Sequence, residues 1–198
     1  MVSPIEGIDT ERLHLRRWRY FDRAPFAAMN ADPEVMEFFP STLTEDESDA
    51  LVDRVRAQFD EHGFGLWALE IRGRGEFIGF TGLAVQTFDA PFNPSIEVGW
   101  RLTRSAWGNG YALEAARASV ADGFERVGLD EMVSMTSVLN VRSQGVMERL
   151  AMVRDPADDF EHPRVPDGSP LRPHALYRLS RERFEATRVG AEGTSVVS

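Results

Sequence analysis

Two neighbouring stretches decide the fold of this chain: Ser95–Leu102 (SIEVGWRL) and Trp107–Ala115 (WGNGYALEA). In the first, apolar residues alternate with Ser, Glu, Gly and Arg, which is typical of a β-strand with one apolar face. The second begins with two glycines and continues with apolar residues at helical spacing to Val127, before Gly128, a residue typical of helix C-termini. The sequence therefore predicts a strand, a glycine turn and a helix.

The glycine turn has the chemistry of a phosphate site. Gly108 and Gly110 lack a Cβ, so the backbone there can approach a ligand closely. The N–H groups of a first helical turn have no acceptor inside the helix, and a diphosphate would satisfy several of them. Taken alone, the same glycines are better explained by an ordinary tight turn that needs positive φ.

A second strand-to-helix junction lies further along the chain. Glu131–Leu139 has the pattern of a strand, and Val141–Leu150 has that of a short helix. Asn140 between them is a good helix N-cap, and capping alone would explain it. Ser143 is equally explained as a polar residue of the first turn. The ordered pair of junctions is more specific than either one.

With both junctions in place, the chain resembles the GNAT superfamily of N-acetyltransferases, in particular the branch of the RimJ and RimL ribosomal-protein N-terminal acetyltransferases. The acetyl-CoA signature of that superfamily, Gln/Arg-x-x-Gly-x-Gly/Ala, falls on Trp107–Ala112, with Trp107 replacing the usual Gln or Arg as in that branch. The later segment, Asn-x-x-Ala followed by Tyr, falls on Asn140, Ser143 and Met147. The tyrosine that often protonates the departing thiolate is absent at Met147, which leaves Ser143 as the remaining hydroxyl.

The resemblance implies acetyl-CoA as co-substrate. It places coenzyme binding on Leu102, Trp107, Gly108, Asn109, Gly110, Tyr111, Ala112, Asn140 and Ser143. A backbone N–H near Leu102 or Val98 would polarise the thioester carbonyl. Asn140 would orient the pantetheine arm, and Ser143 would protonate the thiolate of CoA.

Glu97 is our candidate general base. An amine attacks only when neutral, and a lysine-like amine has a pKa of about 10.4, against about 7.7 to 8.0 for an α-amino group. A base therefore helps the reaction. Glu97 lies on the polar face of the strand that enters the glycine turn, where partial burial would raise its pKa. The alternative is a solvated glutamate on an open sheet face.

We therefore expect an acetyl-CoA-dependent N-acetyltransferase that acts by direct transfer on a primary amine, either a peptide N-terminus or a small molecule. The missing tyrosine at Met147 keeps a second interpretation open, a non-catalytic acyl-CoA sensor or interaction module. A doubly wound nucleotide binder fits less well, because the next strand ends in Asn140 rather than in an acidic residue.

Composition narrows the class of protein. The 198 residues, 42% of them hydrophobic, are enough for one folded domain. Without a membrane-length apolar run or a signal pattern, we expect a cytoplasmic protein with no membrane contact. The net charge of -10 argues against binding to nucleic acid. The absence of Cys and of paired His spacing argues against a metal site and a cysteine nucleophile.

We predict one acetyltransferase domain over residues 1–188 and a disordered tail over residues 189–198. The fold class is α+β, often filed as α/β, with a mixed and mostly antiparallel central sheet flanked by helices. Other predicted strands are Leu13–Trp18, Leu66–Ile71, Phe77–Ala84, Met152–Asp155 and Ala175–Leu179. Thr44 and Glu47 form a capping box for a helix that runs to about Glu61 and is closed by Gly63.

The loop Pro156–Pro173 is long enough to form a lid or a pocket wall. His162 lies in this loop and His174 follows it, and both are candidates to line the acceptor pocket. The simpler interpretation, slightly favoured, is that His162 is an ordinary loop residue and that His174 begins a strand. The resemblance is also compatible with a homodimer.

Overall fold

The computed structural model describes residues 2–3 and 5–193. In this part of the chain the strands are β1 (Gly7–Asp9), β2 (Leu13–Arg16), β3 (Leu66–Ile71), β4 (Glu76–Val85), β5 (Ile96–Leu102), β6 (Glu131–Ser137), β7 (Val153–Arg154), β8 (Phe160–Glu161) and β9 (Pro173–Ser180). The α-helices are α1 (Arg23–Ala31), α2 (Glu45–His62), α3 (Tyr111–Asp122), α4 (Val141–Arg149) and α5 (Arg181–Gly193). None of the helices described is long and apolar enough to cross a bilayer.

The strands form one mixed sheet in the order β1-β2-β3-β4-β5-β6-β9-β7, with β8 also paired to β9. Every pairing except that of β5 with β6 is antiparallel. The predicted α+β fold with a mostly antiparallel sheet flanked by helices is therefore confirmed.

Strands β5 and β6 diverge along most of their length. Each has seven residues, yet the register between them contains a single pair, Glu97 with Val133, near their N-terminal ends. Beyond this pair, the remaining residues of β5 and β6 do not pair with each other. A cleft therefore opens between the Leu102 end of β5 and the Ser137 end of β6.

Helices cover both faces of the sheet beside this cleft. Val98 of β5 is fully buried against Ala116 and Phe124 of the α3 segment. Because side chains alternate along a strand, Arg101 lies on the opposite face. There its guanidinium bonds Asn30 of α1. The face of β5 that carries Glu97 and Arg101 is thus the face towards α1.

Helix α2 begins and ends at the signals predicted for it. The hydroxyl of Thr44 accepts a bond from the Glu47 N–H at 3.3 Å, and the Glu47 carboxylate accepts one from the Thr44 N–H at 2.8 Å. Gly63 closes the helix in the left-handed region, with φ 75°. The helix buries Val52 and Phe59 in the core.

Helix α5 runs to Gly193, beyond residue 189, where the sequence predicts the tail to begin. Its Glu, Ala and Arg residues are good helix formers. The division into a domain over residues 1–188 and a disordered tail stays a prediction. Residues 194–198 of the predicted tail lie outside the described residues. Strands β1 and β8 were not predicted, because two or three residues are too few to show alternation.

Candidate functional site

The turn between β5 and α3 presents a row of backbone donors. Gly108 and Gly110 have φ values of 75° and 77°, a region that favours glycine. A Cβ on Gly108 would meet no atom within 4 Å, so the turn borders open space. Among the described residues, nothing accepts a hydrogen bond from the N–H groups of Gly108, Asn109 or Gly110. Tyr111 and Ala112 follow in the first turn of α3. The donors that a diphosphate requires are therefore present and unfilled.

Side chains hold this turn in shape without using those donors. The amide of Asn109 donates to the Trp107 carbonyl at 3.0 Å, and Arg12 donates to the Asn109 carbonyl at 2.9 Å. Arg12 is itself bound to Glu114 of α3, with 2.6 Å between Nε and Oε2. The Trp107 indole N–H donates to the Leu102 carbonyl at 3.0 Å, which ties the turn to the end of β5.

The second junction faces the same cleft. Asn140 accepts a bond from the Ser143 N–H at 3.1 Å and donates one to the Thr136 hydroxyl at 3.0 Å, so its amide fixes the start of α4. The Ser143 hydroxyl bonds no other described residue. The guanidinium of Arg142 lies 4.6 Å from the ring centroid of Trp107. This contact brings the two predicted coenzyme segments together across the cleft.

Glu97 lies where β5 and β6 separate. Its carboxylate accepts a bond from the Gln86 amide at 2.5 Å and another from the N–H of Met135, just beyond the paired Val133. The side chain is half-buried. Burial raises the pKa of Glu97 to about 7, although the two hydrogen bonds act in the opposite direction. A carboxylate with this pKa can both accept and release a proton near neutral pH.

Arg101 lies on the same polar face of β5 as Glu97, and the sequence pattern suggested no role for it. Its Nη1 donates to the side-chain oxygen of Asn30 at 2.6 Å, and its guanidinium lies 4.1 Å from the ring centroid of Phe39. Burial lowers the pKa of Arg101 to about 10, so the group is charged at neutral pH. The alternation in β5 was the one available signal, because it puts Arg101 on the face of Glu97.

The two histidines beside the long loop belong to an aromatic cluster. The rings of His162 and His174 lie 4.7 Å apart, and Phe88 and Phe160 pack against His162. The pKa of His162 is lowered to about 4, chiefly by burial, so the ring is neutral at neutral pH. The loop after β7 thus packs on the loop between β4 and β5, close to Gln86, the residue that binds Glu97.

The described residues contain no group of three or more His, Asp or Glu side chains arranged to hold a metal ion.

Comparison with known proteins agrees with the family that the two junctions resemble. The family model described as Acetyltransferase (GNAT) domain matches residues 12–153. The uncharacterized protein YkkB of Bacillus subtilis is 31% identical over 145 residues, which are 72% of this chain and 83% of that protein. The FsC-acetyl coenzyme A-N(2)-transacetylase of Aspergillus fumigatus is 34% identical over 147 residues, 71% of this chain and 62% of that protein.

Solved structures share the fold over most of the chain. The acetyltransferase from Agrobacterium tumefaciens superposes with a TM-score of 0.72 at 27% identity, covering 91% of this chain and 98% of that one. Mycobacterium smegmatis RimJ in complex with CoA-disulfide has a TM-score of 0.71 at 21% identity, covering 91% and 89% of the two chains.

Proposed function

Because the chain belongs to the GNAT acetyltransferase family, we propose that it transfers the acetyl group of acetyl-CoA directly to a primary amine, with Glu97 as general base. The family predicted from the two junctions is confirmed. An acetyl-CoA-dependent acyltransferase is confirmed with it, and acetyl-CoA is the co-substrate. The kind of amine, the direct route and the roles of individual residues make up the proposal.

The coenzyme would bind in the cleft between β5 and β6. The N–H groups of Gly108, Asn109 and Gly110 would hold its diphosphate, with Tyr111 and Ala112 at the positive end of the α3 dipole. The unfilled donors of this turn support the assignment. The proposed contacts of Leu102, Trp107, Asn140 and Ser143 lie on the two segments that the cleft separates.

The chemistry requires a proton acceptor on one side of the thioester and a proton donor on the other. The amine nitrogen attacks the acetyl carbon, the N–C bond forms as the C–S bond breaks, and Glu97 receives the proton that the nitrogen loses. A backbone N–H near Leu102 or Val98 would stabilise the charge on the carbonyl oxygen. The Ser143 hydroxyl, which bonds no other described residue, would donate its proton to the departing thiolate and regain one from solvent.

The observation that carries this proposal is the place of Glu97. It is half-buried at the point where the cleft opens, with a pKa raised to about 7 by burial. An α-amino group, with a pKa of about 7.7 to 8.0, is closely matched to such a base, whereas a lysine-like amine at about 10.4 is not. We therefore favour an α-amino acceptor, on a peptide or a small molecule. A cytoplasmic location and a homodimer remain predictions from the sequence.

The test follows release of free CoA thiol from acetyl-CoA with a panel of peptide N-termini and small amines. We expect turnover by the wild type and a loss of about 10²- to 10⁴-fold in kcat for Glu97→Gln, with acetyl-CoA binding retained. Glu76→Gln, at an exposed position of β4, is the matched control and should leave the rate unchanged. Tight acetyl-CoA binding without thiol release for any amine would contradict the proposal and favour a non-catalytic acyl-CoA sensor.

A further inference from the structure

Glu97 and Arg101 bracket an open stretch of the sheet. They lie on the same face of β5, and their Cα atoms are about 13 Å apart at the usual rise of a strand. Gly99 stands between them and pairs with Gly82 of β4, so neither strand contributes a side chain there. A Cβ on Gly99 would have the Glu97 carboxylate as its nearest neighbour, at 4.0 Å. The surface between carboxylate and guanidinium is therefore bare.

The guanidinium of Arg101 is only partly satisfied. Its Nη1 is occupied by Asn30. Its Nε is buried and has no hydrogen-bond acceptor among the described residues. No Asp or Glu side chain of the described residues forms an ion pair with the guanidinium. A buried charge without a counter-charge is costly, and the cost is offset when a ligand supplies the partner.

Acidic residues are close in sequence to Asn30, but other arginines hold them. Asp32 bonds Arg104 at 2.7 Å, and Glu34 bonds the same guanidinium. Glu37 bonds Arg142 at 2.7 Å. The protein thus has carboxylates in this region and leaves Arg101 without one.

Neighbouring side chains hold the guanidinium of Arg101 in place. Asn30 is fully buried, and its amide nitrogen donates to the Ser48 hydroxyl at 2.9 Å, which aims its oxygen at Arg101. Phe39 covers the guanidinium at 4.1 Å. With Nη1 occupied, Nε and Nη2 remain, and these two donors form one edge of the planar fork that binds a carboxylate with two parallel bonds.

We propose that Arg101 binds a carboxylate of the acceptor, so that the substrate is an amine that also carries a carboxylate several bonds from its nitrogen. The inference rests on the proposed function, because Glu97 marks where the amine nitrogen would lie. A net charge of -10 disfavours an acidic substrate in general. The guanidinium of Arg101, which has no carboxylate partner among the described residues, would allow a substrate with a carboxylate to bind despite this net charge.

The test compares acids with their neutral counterparts. A series of peptides of increasing length with a free α-amino group, each with either a free C-terminal carboxylate or a C-terminal amide, is assayed for CoA release, and the ratio of kcat/KM for acid over amide is measured. In the wild type we expect a ratio of about tenfold to a hundredfold at the best chain length, the range of charge-assisted hydrogen bonds. The ratio should fall to near unity in Arg101→Gln and take an intermediate value in Arg101→Lys.

Arg104→Gln is the matched control, because this arginine is close in sequence but already paired with Asp32 and Glu34. It should keep the wild-type ratio. A ratio near one at every chain length in the wild type, or one that Arg101→Gln leaves unchanged, would overturn the inference. Thermal melting and acetyl-CoA affinity are recorded for each variant, and Arg101→Lys decides the matter if the glutamine variant does not fold.

Failure of the proposed function has a different signature, which is the absence of CoA release with every amine. In that case binding of acids and amides in the presence of CoA is measured by calorimetry. Tighter binding of the acids to the wild type than to Arg101→Lys would still support the carboxylate site. Equal binding would exclude it.

Discussion

Two arginines on the sheet, Arg16 of β2 and Arg101 of β5, have opposite surroundings. Arg16 is buried and bonds both oxygens of Asp22, at 2.7 and 2.8 Å, and Glu70 at 2.7 Å. Burial lowers the pKa of Arg16, but these partners outweigh it and raise the pKa above its ordinary value. Arg101 has a neutral amide as its partner, and burial lowers its pKa to about 10. The fold completes the bonding of Arg16 and leaves that of Arg101 to a ligand.

The same contrast separates two regions of the molecule. The cluster of Arg16, Asp22 and Glu70 has no role in our account other than stability. The face of β5 with Glu97 and Arg101, and the turn after it, carries polar groups that the fold buries or orients without pairing them fully. Because unsatisfied polar groups cost stability, such groups are expected where a ligand binds.

The largest difference should come from breaking the buried ion pair of Arg16. We expect Asp22→Ala to lower the free energy of unfolding by about 3 to 5 kcal/mol, because it leaves a buried guanidinium without its counter-charge. Arg101→Gln should lower the same quantity by at most about 2 kcal/mol, since it removes the hydrogen bond to Asn30 but no ion pair. Urea denaturation measures both. Equal losses would remove the distinction between the two arginines.

Glu97 should destabilise the folded protein as the pH rises. Its pKa is about 7 in the folded protein against an ordinary value of 4.5, so the folded state holds a proton that the unfolded state releases between those values. The stability is present below about pH 4.5 and is lost as the pH passes 7, by about 1 to 3 kcal/mol. Urea denaturation of the wild type and Glu97→Gln at about pH 5 and pH 8 isolates this loss. Parallel changes in both proteins would show that Glu97 has an ordinary pKa.

Two matched variants distinguish a role of the glycine turn in acetyl-CoA binding from the stability cost of backbone strain. Gly108 and Gly128 have φ values of 75° and 83°, and a Cβ on either meets nothing within 4 Å. Alanine at each should cost about 1 to 2 kcal/mol of stability, because left-handed φ is strained for an L-residue. Gly108→Ala alone should also weaken acetyl-CoA binding, by about tenfold, since it moves the donors of the turn. Equal acetyl-CoA affinities of the two variants, measured by calorimetry, would remove the turn from the coenzyme site.

Ser143→Ala should have the smallest effect. A thiolate is a tolerable leaving group near neutral pH even without a proton donor, so kcat should fall by less than about tenfold. The Asn140 cap uses the backbone N–H of Ser143, which the substitution keeps. Steady-state CoA release gives the rate. A loss as large as that of Glu97→Gln would mean that protonation of the leaving group limits the reaction.

The sequence predicted those parts of the fold that depend on neighbouring residues. Strand Leu66–Ile71 has the predicted bounds, and the Thr44 capping box and the Asn140 cap form as expected. Each of these signals is local, because a cap or an alternating strand needs only a few adjacent side chains. The two junctions that we propose as the coenzyme site could therefore be located without a structure.

The acceptor side could not be predicted in this way. The bond from Arg101 to Asn30 joins residues 71 positions apart, and the aromatic cluster joins Phe88 to His162 from separate loops. The divergence of β5 from β6 is equally non-local, because it depends on how the two strands pair. Alternation placed Glu97 on the polar face, but its raised pKa follows from burial that tertiary packing produces.

The pH dependence of kcat/KM tests the role of Glu97 most directly. The acceptor should be an amine whose own pKa lies below the measured range, so that it stays neutral throughout. We expect kcat/KM of the wild type to rise with pH and to level off above about 7, the pKa of Glu97. Glu97→Gln should be slower and should lack this rise. The same rise at an undiminished rate in Glu97→Gln would contradict the account.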